Sequence, residues 1–273
     1  MSETNELDVV KEAVKELSKD AYQDVIQPTV QPLGQTVGLV PRAIKAALLP
    51  LEKWILQREY NLKETEKLLE KKLQEIDPAK IVSPEPYVAV PAIQYISYCM
   101  NDADLRELFA NLLAKSMIDD VKSYVHPSFL EIIKQLSPDE AKLLRYFSEQ
   151  RGSSFPTITM WRTNSIGDGI VLYQHFSNIG ELAHCVEPFN IQMMFDNLAR
   201  QGLIEYNESG SSLYRKDLYE PLKTHPFVQG TKRKILSSVS DDYNIIELKE
   251  GFIHITELGK RFIDLCVKEQ MSN

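Results

Sequence analysis

Apolar residues recur at threes and fours along most of this chain, and strict alternation is confined to its second half. At the start, Leu7, Val10, Val14 and Leu17 predict an amphipathic helix within residues 1–27, ended by Pro28, Pro32 and Gly34. From Leu51 to Ile76 the run LEKWILQREYNLKETEKLLEKKLQEI is rich in helix formers. Ile55, Leu62, Leu69 and Ile76 return every seven residues. The companion row of a heptad seam is mostly polar, with Arg58, Thr65 and Lys72 three positions on, so the pattern predicts a long exposed helix and not a coiled coil.

Pro78, Pro84, Pro86 and Pro91 predict an extended connection after that helix, because proline removes a donor and disfavours helix in the residue before it. The stripe Leu105, Leu108, Phe109, Leu112, Leu113 and Met117 then predicts a core helix, with Asn101 or Asp102 as its cap. Farther on, Ser137, Pro138 and Glu140 have the spacing of a capping box, in which serine and glutamate satisfy each other's backbone donors. His126 precedes Pro127 at the start of SFLEIIKQL. Its imidazole is placed to cap, to pack or to meet a ligand, and the structural roles are favoured.

The pattern changes after Ser137. A helix over DEAKLLRYFSEQ leads into the strand-like runs PTITMWRT and GIVLYQHF. A helix ending at Gly202 follows, then a strand. NIIELKEGFIHITELGKRFIDLCV predicts two short strands around Glu250 and Gly251, then a helix opening near Thr256. The fold expected is mainly α: a helical N-terminal half and a C-terminal α+β winged-helix-like module. Three regions follow: an amphipathic helical region at 1–77, a helical core at 78–136, and the winged module at 137–273.

Charge bears on what such a module binds. The formal net charge is −8, and from Ser137 to the end 15 basic residues face 18 acidic ones. A fold of this type that reads DNA would contact it through Gln192, Asn197 and Arg200 on the candidate recognition helix, and through Lys232, Arg233 and Lys234. One arginine on that helix is thin support, and TKRK reads as a solvated loop. Nucleic acid is therefore not the expected partner.

Other chemistry is sparse. The phosphate-binding, dinucleotide-binding, serine-hydrolase and zinc-protease motifs are missing. The five histidines are scattered, and His184 beside Cys185 lacks the paired spacing of a zinc site. Asp119 with Asp120, and Asp241 with Asp242, read as solvated turn charge. The expectation is no catalytic residue, no cofactor and no metal. Cys99, Cys185 and Cys266 are odd in number and far apart, as for free thiols in a reducing compartment. With an acidic N-terminus unlike a signal peptide, they make the cytoplasm the expected location. The apolar window Val37–Leu51 is too short and too interrupted, by Arg42, Lys45, Pro41 and Pro50, to span a bilayer. It reads as a packed helix, with peripheral membrane contact through residues 37–51 as the alternative.

The segments LRELFANLLAKSMIDD, YVHPSFLEIIKQLSPDEAKLL, FSNIGELAH and FDNLARQGLIEY, which together cover most of residues 105–206, resemble the abortive infection alpha family of bacterial proteins. The resemblance implies a role in resistance to phage, and it brings no catalytic residue or ligand with it. The functional expectation is a non-enzymatic defence protein that works through protein partners or self-association. The alternative is a winged-helix DNA-binding transcriptional regulator.

Overall fold

A computed structural model describes residues 39–48, 62–99, 101–207, 212–237 and 245–269. The predicted helix within residues 1–27 and the pair Asp241 and Asp242 lie outside them. Two compact units divide the chain, one comprising Met1–Tyr98 with Leu112–Pro127, the other Cys99–Asn111 with Ser128–Asn273.

In the first unit, α1 (Leu39–Leu48) buries Ile44, Ala47 and Leu48 and leaves Arg42 and Lys45 exposed. That is the packed helix expected within residues 37–51. Helix α2 (Leu62–Leu73) is the described part of the long helix predicted from Leu51 to Ile76, residues 51–61 lying outside the described ones, and apart from one buried stripe its described side chains are exposed or half-buried. It buries Thr65, Leu69 and Leu73, one stripe at a spacing of four, while Ile76 lies beyond its end, half-buried. Helix α3 (Pro86–Tyr98) corrects the expectation of an extended connection through the prolines. Pro86 opens it, Pro91 lies inside it, and Val88, Ala89, Ala92, Ile93 and Ile96 are buried. Burial of that face outweighs the one backbone bond Pro91 cannot make. Extended backbone is confined to the residues before Pro86, where Ile81 bridges Ile118 and the Val82 N–H donates to the Met117 carbonyl at 2.8 Å.

Helix α4 (Ala103–Ser116) starts on Asp102, whose carboxylate accepts from the Leu105 N–H at 2.9 Å. Its stripe is buried at Leu108, Phe109, Leu112 and Leu113, and Leu105 is half-buried. Asn111 donates from Nδ2 to the carbonyls of Cys266 and Val267 at 2.9 and 3.2 Å, a contact within the second unit.

The rest of that unit is a four-stranded antiparallel sheet with helices on both faces. Helix α5 (Ser128–Ile133) leads to α6 (Pro138–Glu149), which opens on the predicted capping box of Ser137 and Glu140. Then come β1 (Ser154–Thr163), β2 (Gly169–Phe176), the short α7 (Ile179–Leu182), α8 (Ile191–Arg200) and β3 (Ile204–Tyr206). After these, α9 (Glu220–Lys223) and α10 (Pro226–Ser237) precede β4 (Ile245–Ile255) and α11 (Glu257–Phe262). The strand order is β2-β1-β4-β3.

Two expectations are corrected here. Strand β4 runs unbroken, with Glu250 opposite Ile158 and Gly251 opposite Thr157. A Cβ on Gly251 would come 3.2 Å from the Thr157 hydroxyl, so this glycine serves a close cross-strand approach and not a turn. The basic run Lys232, Arg233 and Lys234 lies on α10 and not in a loop. One sheet face packs Ile158, Met160 and Phe176 against Tyr219, Leu222 and Val228. On the other side of β1, the ring of Phe155 meets Phe147 of α6 at 4.5 Å between centroids.

Candidate interaction site

The most distinctive surface of the second unit is the corner where α7 turns into α8. Gly180 presses against Pro188, leaving no room for a Cβ beside the Pro188 backbone. Asp139, in the first turn of α6, accepts from the N–H groups of Val186 and Glu187 at 2.9 and 3.0 Å and from Lys142 at 2.9 Å. Burial pushes the Asp139 carboxyl up, but the two backbone donors and Lys142 together outweigh it and hold the group below its ordinary range. The hydroxyl of Tyr173 donates to the Phe189 carbonyl at 2.7 Å. Behind it, Phe189, Phe227 and Phe176 stack in series, with centroids 5.4 and 5.3 Å apart. His225 closes the base. Its Nδ1 accepts from the Phe227 N–H at 3.2 Å, so Nε2 carries the proton that faces Glu181 at 2.7 Å.

These anchors hold large apolar side chains in water. Val186 is 75% exposed, Met193 63%, Leu182 50% and Phe189 46%. The same segment carries the exposed carboxylates Glu181, Glu187 and Asp196, and from Phe176 to Ala199 the sequence has no Lys or Arg, the cation at the turn being Lys142 of α6 on Asp139. Such a surface suits desolvation against a protein and is ill suited to a phosphate backbone.

Of the residues named for DNA contact, three lie on α8. Gln192 reaches Gln174 at 3.5 Å. Asn197 donates to the Gln135 carbonyl and to Glu140 at 2.9 and 2.8 Å, and Arg200 donates to Gln135 and Asn197 at 3.2 and 2.6 Å. Asn197 and Arg200 thus brace α8 against the turn between α5 and α6. Lys232, Arg233 and Lys234 are on a different helix, α10, and no carboxylate among the described residues pairs with them. Sequence reasoning missed Val186, Phe189 and Met193. The lack of Lys and Arg from residue 176 to 199 was the signal that could have found them.

Elsewhere among the described residues most charged groups are paired, while the buried Oγ1 atoms of Thr65 and Thr157 and the Oδ1 of Asn111 accept no hydrogen bond. A shallow depression lined by Ser212, Lys223, Leu248, Lys249 and Glu250 is occupied by ion pairs of Glu250 with Lys216 and Lys223 at 2.6 and 2.9 Å. Asp119 and Asp120 pair with Lys122 and Lys80, and His126 is exposed. Burial raises all three thiols, Cys185 to about 11, so each is protonated at neutral pH. Among the described residues no three His, Cys, Asp or Glu side chains gather to hold a metal, and no helix is long and apolar enough to cross a membrane.

No curated protein matches the chain. A solved structure of an uncharacterized protein from the hydrocarbon-degrading marine bacterium Alcanivorax borkumensis SK2 is similar to it at 22% identity, covering 51% of this chain and 92% of that one with a TM-score of 0.35. The family model described as abortive infection alpha matches residues 57–266, a span that takes in α2, the core helix α4, the corner and the whole sheet, and the chain belongs to that family.

Proposed function

We propose that this protein acts in abortive infection, limiting phage by contact with protein and not by catalysis, and that the α7–α8 corner is its contact surface. The observation that carries the reading is the group of exposed apolar side chains, Val186, Phe189 and Met193, on an anchored turn whose own segment, residues 176–199, has no Lys or Arg. Anchoring lowers the ordering cost of binding, and apolar side chains at the centre of a contact supply most of its energy. The family match supplies the phage context. The C-terminal unit is read as winged-helix-like: α6, β1, α7, α8, β3 and β4 follow the order helix, strand, helix, helix, strand, strand, with β4 between β1 and β3 and β2 as an added edge. In that arrangement α8 takes the place of a recognition helix, yet its exposed positions are Met193, Asp196 and Arg200. On this reading the protein acts in the cytoplasm, where phage replicates.

Cells carrying and lacking the gene, challenged with a panel of phages, provide the test. Reduced plaque number or burst size for at least one phage is expected. Indifference across a broad panel would refute the reading.

A further inference from the structure

We infer that a second copy of this chain occupies the corner, presenting the basic end of its α10; this rests on the reading of the corner as a protein-contact surface. The argument is charge complementarity between two neighbouring stretches of one unit. From Phe176 to Ala199 there is no Lys or Arg, and from Pro221 to Ser240 there is no Asp or Glu. The first displays Glu187 beside Val186, Phe189 and Met193; the second displays Lys232, Arg233 and Lys234 beside Leu236, itself an exposed apolar side chain. Neither Glu187 nor the three cations have an ion-pair partner among the described residues.

Within one copy the two stretches meet through the start of the second, where Glu181 pairs with His225 and the rings of Phe176 and Phe189 pack on His225 and Phe227. The cations lie five to seven residues beyond Phe227 on α10, roughly 8 to 10 Å along the axis. A surface with an apolar centre, an acidic side and a basic side is self-complementary under a twofold rotation. The acidic side of each copy then meets the basic side of the other, and each contact forms twice. The chain's charge of −8 opposes association at long range, so a local pairing of this kind is what would hold two copies together.

Sedimentation of the full chain across micromolar concentrations tests the pairing, with circular dichroism confirming that each variant is folded. The wild type is expected to dimerise. Glu187→Lys alone, and Lys232→Glu with Arg233→Glu, should each weaken dimerisation on the order of tenfold or more. All three changes together should restore most of the loss. A wild type that stays monomeric, a dimer indifferent to both reversals, or reversals that do not rescue each other would each overturn the inference. The parent reading fails separately: it falls if Met193→Asp leaves phage protection intact, and it stands if Met193→Asp abolishes protection while the wild type is monomeric.

Discussion

Asp139 shows how much of the corner rests on single side chains. Its carboxylate holds two consecutive backbone N–H groups that precede Pro188 and neutralises Lys142. Because its folded pKa is depressed, its contribution to stability is fully present above the ordinary carboxylate value of about 3.9 and is lost as pH falls through the lower folded value. Asp139→Asn should therefore destabilise the chain at pH 7, on the order of 1 to 2 kcal/mol, measured as a shift in denaturation midpoint. The gap between the two proteins should close as the solution is acidified below about pH 4. A gap that persists in acid would mean that the charge of Asp139 is not what holds the turn. This role is not legible from the residues alone: Asp139 is an ordinary first-turn acid of α6, and the backbone donors it holds lie 47 and 48 residues away.

At the scale of elements, local signals carried the reading well. Ser137 and Glu140 cap each other, Asp102 caps α4, and Thr256 accepts from the Gly259 N–H at 2.9 Å, because each motif spans only four consecutive residues. Gly202, at a φ of 75°, ends α8 in the left-handed region as its position after a periodic run predicts. Where the reading failed, the deciding contacts were distant in sequence. Pro91 lies inside a helix because that helix buries five side chains, and Gly251 continues a strand because Thr157 faces it. The stripe of α4 is the clearest inference from periodicity, and Phe109, 1% exposed, is its most informative member. Phe109→Ala should cost about 3 to 5 kcal/mol in chemical denaturation. An unchanged midpoint would show that the ring contributes nothing to the core.

For the whole molecule, the family was legible because its wording lies in capped helices and leucine-rich stripes that survive as sequence. The corner was not, because exposure of an apolar residue is a property of the fold: Met193 and Met194 are neighbours in sequence, yet one is in water and the other in the core. The central claim is that this exposed group, and not a basic groove or a reactive side chain, connects the protein to phage defence. Introducing Val186→Asp with Met193→Asp changes two side chains that add little to the core, so the chain should stay folded while the corner turns fully polar. The most direct measurement is the efficiency of plating of a sensitive phage on cells making this variant or the wild type at equal soluble protein level. The account predicts that the variant plates as efficiently as on cells lacking the gene; protection equal to that of the wild type would contradict it.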